Sequence, residues 1–315
     1  MKIIRSSLPA LLSTIAVGII LPQVFKVSYF YFAAFTILQY VILATAWNLL
    51  GGYTGYVNFG VGAFFGLGAY TSAALILYLK MNLILALIAG GLVSAVLGLA
   101  LGYLTINLKG VYFAIATLAL AVIVQMLIVN TPWLGGARGI QIQRPQPIPP
   151  FSHYLEFLFA LMLLLAFLCV TAVRLIEKSW IGKCFVAIRD CEEAAECMGM
   201  PVFRLKLFAT TLSGFMMGAV GALFPYYITY MEPYSVMGLD VSLNSLAMPL
   251  VGGTGTWLGP VIGALLMGLL HQIVTVMISS EYNLLIAGIV LICFVTLAPE
   301  GIMGLIGSSK KKDGT

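Results

Sequence analysis

The chain alternates between long apolar runs and short polar interruptions over its whole length. Ten runs approach or exceed the roughly 20 apolar residues that a membrane-spanning helix needs. They cover residues 8–25, 29–50, 57–79, 82–105, 109–130, 154–176, 207–230, 236–251, 257–279 and 283–298. The pattern predicts an all-α, polytopic integral membrane protein with about ten transmembrane helices and glycine-broken segments.

Composition agrees with this prediction and excludes other classes. Of 315 residues, 61% are hydrophobic and 9% charged, against roughly 45–50% and about 25% in soluble domains. The mean hydropathy of +1.06 excludes a disordered or nucleic-acid-binding chain, because both need many charges. We expect one membrane domain over residues 1–315, with any catalytic or ligand-capturing domain on another polypeptide.

Positive charges predict the orientation in the membrane. The first run follows Lys2 and Arg5 as in a signal peptide, but no small-x-small cleavage pattern follows, so we expect a retained first span. With a cytoplasmic N-terminus, ten spans return the C-terminus to the cytoplasm. Twelve cations then lie inside, namely Lys2, Arg5, Lys109, Arg174, Lys178, Lys183, Arg189, Arg204, Lys206, Lys310, Lys311 and Lys312. Only Lys26, Lys80, Arg138 and Arg144 lie outside, as the positive-inside rule requires.

Two polar segments separate the runs. Residues 131–153 form an outer loop, whose Arg144–Pro150 stretch is typical of a stiff polyproline-like structure. Residues 177–206 form the main cytoplasmic loop. It carries ten charged residues, namely Glu177, Lys178, Lys183, Arg189, Asp190, Glu192, Glu193, Glu196, Arg204 and Lys206.

The cytoplasmic loop contains a candidate amphipathic helix. Apolar or small residues at positions 188, 191, 194, 195 and 198 share one helical face. Asp190 and Glu193 resemble a capping box, and Gly199 and Pro201 provide a stop. This predicts a helix over 188–198 at the membrane surface, where a merely solvated loop helix is the alternative.

Glycine is densest at residues 51–68 and 252–263. Close helix packing is the favoured interpretation for Gly60, Gly62, Gly66 and Gly68, whereas Gly51–Gly55 and Gly252–Gly255 favour helix breaks. We hypothesise that the broken ends border a translocation route, because free backbone groups can line a polar cavity. The candidate residues are Asn48, Gly51, Gly52, Thr54, Gly55, Asn58, Gly252, Gly253, Thr254 and Gly255.

Other chemistry is sparse. The cysteines lie in predicted spans or in the cytoplasmic loop, which indicates reduced thiols, and their spacing matches no zinc pattern. No P-loop occurs, since Gly182-Lys183 is followed by Cys184. His271 is the only mid-span titratable residue. We interpret it, with Asn48, Asn58, Gln125 and Gln272, as an interhelical hydrogen-bonding residue.

Motifs along nearly the whole chain resemble one transporter family. Asn48–Gly55, Gly60–Tyr70, Gly110–Leu118, Trp180–Lys183, Ala187–Asp190, Gly252–Pro260 and Pro299–Ile302 occur in its order. Glu193-Ala194-Ala195, followed by Gly199, resembles the signature with which ABC-importer permeases contact their ATPases. The chain thus looks like a LivM-type permease of branched-chain amino-acid ABC importers.

The resemblance implies a function without covalent chemistry. It implies a LivH-like second permease, two ABC ATPase subunits that bind ATP and magnesium, and an extracytoplasmic amino-acid-binding protein; this chain itself would bind no cofactor. Its coupling residues would be Asp190, Glu193, Ala194, Ala195 and Gly199.

Departures leave alternatives open. The outer segment reads Leu134–Gly139, Tyr56 and Val61 replace the usual Gln and His, and Phe208–Leu212 replaces the family's second coupling motif. A urea or short-chain amide importer is the nearest alternative. An ion-coupled carrier or channel lacks the buried carboxylates it usually needs, and an intramembrane enzyme lacks a catalytic partner for His271.

Overall fold

The computed structural model describes residues 28–105, 108, 110–143, 153–277, 282–297 and 301–304. The predicted span 8–25, the proline-rich stretch 144–150 and the lysines at 310–312 lie outside the described residues. The long helices are α1 (Ser28–Thr54), α2 (Val61–Leu79), α3 (Leu83–Thr105), α4 (Val111–Val129), α5 (Tyr154–Lys178), α8 (Val202–Ile228), α10 (Leu239–Gly252), α11 (Gly259–Met277) and α12 (Asn283–Leu297). Short helices are α6 (Trp180–Asp190), α7 (Glu192–Cys197) and α9 (Pro233–Val236).

The membrane-spanning elements agree with the sequence pattern. In the described part of the chain, eight helical segments are long and apolar enough to cross a bilayer, and they match the second to ninth predicted runs. The tenth run corresponds to α12, whose 15 residues fall short of a full span. The predicted polytopic all-α architecture is therefore confirmed, and the chain is a multi-pass membrane protein.

Helix α8 lies at the centre of the bundle. It packs along α2 and α3, and its contact with α3 is the most extensive between any two described helices. Small residues permit this approach: a side chain on Gly68 would overlap the backbone of Gly218, and Gly90 lies against the Gly68 carbonyl oxygen. Close packing is thus confirmed for Gly68.

The outer helices carry the lipid-facing surface. In the most apolar stretch of α8, 67% of the residues are buried, compared with 28% in the corresponding stretch of α4. Helix α4 exposes Ile115, Val122, Ile123 and Leu127. This outward apolar surface suits acyl chains or the helices of another membrane subunit.

The bundle has two distinct ends. At one end, α6 and α7 form a bent helical pair over Trp180–Cys197, which we call the elbow. At the other, β1 (Ile140–Gln141) pairs antiparallel with β2 (Tyr230–Met231), beside two 3-10 turns at Pro132–Leu134 and Gly136–Arg138. The Tyr230 hydroxyl donates to the Arg138 carbonyl at 2.9 Å, which fastens this strand end.

The elbow corrects the prediction of one helix over 188–198. Cys191 has an extended backbone (φ −159°, ψ 103°), so α6 ends at Asp190 and α7 begins at Glu192. Cys191, not Asp190, precedes α7, and its side chain makes no capping hydrogen bond; the predicted capping box is wrong. The stop at Gly199 is confirmed, because its φ of +78° is the left-handed conformation that glycine favours.

Two further boundaries differ from the prediction. Helix α1 continues through Gly51 and Gly52 to Thr54, so the break begins only at Gly55, where φ is +79°. Helix α8 begins at Val202 instead of residue 207, which places Lys206 inside its first turns.

Candidate functional site

Polar residues from four chain segments meet at the elbow end of the bundle. The segments are the elbow itself, the last turns of α1 with the α1–α2 connection that follows them (residues 55–60), the first turns of α8, and the α10–α11 connection (residues 253–258). In the sequence these segments are up to about two hundred residues apart, and in the fold they share two hydrogen-bonded groups of side chains.

The first group consists of Tyr56, Glu192 and Lys206. One carboxylate oxygen of Glu192 pairs with the Lys206 ammonium group and the other accepts from the Tyr56 hydroxyl. Lys206 also donates to the Tyr56 oxygen and lies 4.3 Å from the centre of its ring. A cation over a tyrosine face is attracted by the ring quadrupole, so all three residues stabilise one arrangement.

The electrostatics of this group favour a neutral tyrosine. Burial, followed by the hydrogen bond and negative charge of Glu192, raises the pKa of Tyr56. A raised tyrosine pKa stabilises the protonated form, and that stabilisation is lost only as pH rises above the ordinary value near 10. Tyr56 is therefore a hydroxyl donor throughout the physiological pH range.

The second group joins the two glycine-rich segments. The Asn48 amide nitrogen donates to the Thr256 carbonyl at 2.9 Å, and its oxygen accepts from the Gly255 amide at 3.1 Å. Asn48 is fully buried. A Cβ atom on Gly52 would lie 2.8 Å from the Gly255 nitrogen, so the absence of a side chain permits this contact.

Arg189 connects the second group to the elbow. It lies in the last turn of α6, and its guanidinium group donates to the Gly52 carbonyl at 3.3 Å. Its side chain also passes against Gly55 and Gly255. One elbow residue thus contacts both glycine-rich segments.

Other contacts fix the two connections. The Trp47 indole donates to the Asn58 carbonyl at 2.8 Å, and the Phe59 amide donates to the Thr117 hydroxyl at 3.0 Å. On the α10–α11 side, the Arg174 guanidinium carbon lies 4.7 Å from the centre of the Trp257 ring. These contacts attach the site to α1, α4 and α5.

Four of the predicted coupling residues lie on the elbow and Gly199 follows it, and the five differ in exposure. Asp190 is exposed and pairs with Arg189 at 3.4 Å, while Glu193 and Ala194 are exposed on α7. Ala195 is buried against the bundle. Gly199 is exposed and has no neighbour within 4 Å of the position a Cβ atom would take.

The predicted pathway residues are only partly brought together. Asn48, Gly52, Gly55 and Gly255 converge, as described. The others have separate local contacts. Near the end of α1, Gly51 packs on Trp47, Thr54 donates to the Leu50 carbonyl, and Asn58 accepts from the Gly60 amide. In the second segment, Gly252 and Gly253 form the α10–α11 turn, and Thr254 is exposed.

The interhelical interpretation is confirmed for Gln125, which donates to the Pro233 carbonyl at 3.3 Å, and for Gln272, which accepts from the Tyr29 hydroxyl at 3.1 Å. Asn48 instead bonds to the α10–α11 connection, and the Asn58 side chain accepts from the nearby Gly60 amide. The His271 ring meets Tyr40 of α1 edge-on, and within the described residues its Nε2 atom has no hydrogen-bond partner.

Sequence reasoning did not single out Tyr56, Arg189, Glu192 and Lys206 as site residues. A signal was available for two of them, because Glu192 and Lys206 carry opposite charges on either side of the Gly199 turn.

The strand end contains a separate cavity of about 530 Å³. It lies between the end of α2 and the turn at Pro132–Leu134, and its lining includes Tyr70, Tyr78 and Trp133. Trp133 and Tyr78 are exposed, as aromatic residues at a membrane interface commonly are.

The eight spans and the buried polar site at one end of them define a polytopic membrane protein. The chain belongs to the family of permease components of branched-chain amino acid transport systems, whose profile matches residues 29–295.

Individual relatives agree with the family assignment. The LivM permease protein of the high-affinity branched-chain amino acid transport system of Salmonella typhimurium is 29% identical, over 84% of this chain and 67% of its own. The LivH permease protein of the corresponding Escherichia coli system is 23% identical, covering 84% and 91%. LsrC, an autoinducer 2 import system permease protein of Yersinia pestis, is 24% identical, covering 84% and 77%. No solved structure matches the chain.

Proposed function

We propose that this chain is the permease subunit of an ATP-driven importer of branched-chain, or otherwise hydrophobic, amino acids. The observation that carries the proposal is the family match over residues 29–295. The greater similarity to LivM than to LsrC favours an amino-acid cargo. A urea or short-chain amide cargo remains the alternative that the uptake experiment below tests.

The proposed complex places the energy source on other chains. A LivH-like permease completes the membrane pore, two ABC ATPase subunits bind ATP and magnesium, and an extracytoplasmic protein delivers the amino acid. In this arrangement the ATP sites belong to the ATPase subunits, and the sequence of this chain contains no P-loop motif.

In the proposed orientation the elbow lies at the cytoplasmic face of the inner membrane, and both termini are cytoplasmic. The cationic residues Lys178, Lys183, Arg189 and Arg204 then lie on the inner side, in agreement with the positive-inside rule. The strand end faces the extracytoplasmic binding protein.

Coupling then proceeds through the elbow. Helix α7 exposes Glu193 and Ala194, and the neighbouring Met198 is 71% exposed. A small residue and a flexible apolar side chain beside a carboxylate suit a groove on an ATPase subunit. When ATP closes the ATPase dimer, the elbow moves and the permease exchanges inward- for outward-facing conformations.

The two glycine-rich segments would form the cytoplasmic end of the translocation route. In this conformation Asn48 holds them together, so cargo release requires this contact to separate. Backbone amides and carbonyls freed on opening offer weak contacts to a zwitterion.

Reconstituted transport tests the proposal. Proteoliposomes containing the two permeases, both ATPases and the binding protein should accumulate labelled leucine when ATP is present on the ATPase side. Excess isoleucine should compete, and excess urea should not. ATP-dependent accumulation of labelled urea and not of leucine would assign the amide cargo, whereas leucine accumulation by this chain without ATPases, driven by an ion gradient, would refute the proposed mechanism.

Substitutions in α7 and in the turn that follows it test coupling. Glu193→Lys reverses a charge exposed on the elbow, and Gly199→Leu puts a branched side chain where φ is +78°. Each should abolish uptake while the protein still inserts in the membrane, as measured by its yield in washed membranes. Normal uptake by both variants would contradict a coupling role for α7.

A further inference from the structure

We propose that Tyr56, Glu192 and Lys206 form a joint through which α7 holds both the α1–α2 connection and the start of α8. The three are positioning residues for transport, because they would transmit movement of the elbow without touching the cargo. This inference rests on the proposed coupling function of α7.

The geometry makes Glu192 the centre of the joint. It is the first residue of α7, and its two carboxylate oxygens serve two different elements. One pairs with Lys206 on α8 and the other accepts from Tyr56 in the α1–α2 connection. Since Lys206 also donates to Tyr56, the three contacts form a closed ring.

Burial distinguishes this joint from the other ion pair described at the elbow. The side chains of Lys206 and Glu192 are 7% and 16% exposed, whereas those of Arg189 and Asp190 are 39% and 66% exposed. An exposed pair exchanges readily with water and contributes little. A buried pair is costly to separate, so its two elements move together.

Both attachment points lead into rigid parts of the molecule. Lys206 belongs to α8, which packs along α2 and α3. The α1–α2 connection that carries Tyr56 is itself held by Trp47 and Thr117. A displacement of α7 therefore reaches the centre of the bundle instead of being absorbed by a loose loop.

The first experiment measures whether the joint holds α7 in place. Ala195 on α7 is buried, so a cysteine there should be shielded from maleimide. The reporter is Ala195→Cys in a chain whose exposed cysteines, Cys191, Cys197 and Cys293, are replaced by serine. Lys206→Met should raise the rate of labelling at least tenfold, and Tyr56→Phe should raise it less, because the ring remains.

Two matched variants make the result specific. Arg204→Met removes a positive charge from an exposed position of the same helix and should leave labelling slow. The exchange variant, Glu192→Lys with Lys206→Glu, should restore slow labelling because the pair is rebuilt in reverse. Equal labelling of Lys206→Met and its parent, or fast labelling of the exchange variant, would overturn the joint.

The second experiment measures transport by the full complex. Lys206→Met should lower the leucine taken up per ATP hydrolysed by at least fivefold, and the exchange variant should recover it. An unchanged ratio in Lys206→Met would overturn the positioning role. If the parent complex takes up no leucine although the labelling follows the expected pattern, the proposed function fails and the joint stands.

Discussion

At the elbow end of the bundle, buried polar side chains find their hydrogen-bond partners in parts of the chain that are far apart in sequence. The Asn48 amide both donates to and accepts from the backbone of one segment, and Lys206 forms an ion pair and also lies over the face of an aromatic ring. In surroundings this apolar, an amide or ammonium group without a partner would cost several kcal/mol. Each of these side chains is therefore tied to one arrangement of the helices.

Asn48 gives a prediction at the scale of the residue. Asn48→Leu conserves approximate size but leaves the Gly255 amide and the Thr256 carbonyl without their partner. We expect a loss of about 1–3 kcal/mol of stability, measured by denaturant unfolding in mixed micelles. Asn130→Leu is the control, because the Asn130 amide donates to the Met126 carbonyl one turn earlier in α4, at an exposed position. Equal losses in the two variants would contradict the bridging role.

Individual residues show where prediction from sequence reached its limit. Asn48 is correctly predicted to form hydrogen bonds with a distant part of the chain, since an amide within an apolar run needs a partner, but its partners lie in the α10–α11 connection and not in a helix. Lys206 is wrongly placed in a loop, because a lone ammonium group normally marks water. Its charge is compensated by Glu192, fourteen residues earlier, and by Tyr56, 150 residues earlier. The opposite charge of Glu192 is visible in the nearby sequence, but no local pattern shows the contact with Tyr56.

At the scale of elements, the elbow is two helices with a corner between them. The apolar positions at 188, 191, 194 and 195 continue through the corner, which explains why periodicity predicts a single helix. The corner lies at Cys191, whose backbone is extended, and the residues Ile188 before it and Ala195 after it are both buried. Helical structure within 188–198 was thus predictable, whereas the start of α6 at Trp180 and the bend at Cys191 were not.

The glycine-rich segments give a prediction at this scale. If they separate during transport, single cysteines at positions 52–58 and 252–256 should differ in maleimide reactivity between ATP-bound and nucleotide-free complexes. The largest change is expected at Gly55 and Gly255, which flank Arg189. Cysteines that stay equally inaccessible in both nucleotide states would exclude these segments from the route.

At the scale of the whole molecule, the apolar pattern predicts the fold well because a bilayer imposes it. Backbone groups in lipid must bond within their own helix, so run length translates directly into spans. Packing order is a different matter. The central position of α8 depends on Gly68, Gly90 and Gly218 meeting in three dimensions, and their positions in the sequence do not show that they meet.

The orientation is testable on the native chain. Cys197 is exposed on the elbow, so a membrane-impermeant maleimide should label it in inside-out vesicles and not in intact spheroplasts. Trp133→Cys, at the exposed strand end, should show the opposite pattern in a chain whose exposed cysteines, Cys191, Cys197 and Cys293, are replaced by serine. Labelling of Cys197 from the outside would reverse the proposed topology.

The contact between Asn48 and Thr256 also bears on how the chain is made. The two residues are 208 positions apart, so α1 enters the membrane long before the ribosome has produced the backbone that Asn48 will bind. Until then the Asn48 amide must be hydrated, or must form temporary hydrogen bonds with another nascent helix or an insertion factor. Folding of this end of the molecule is therefore complete only after the α10–α11 turn has been synthesised. In a chain truncated before that turn, the Asn48 amide would lie unpaired in the membrane, where quality-control factors could recognise it.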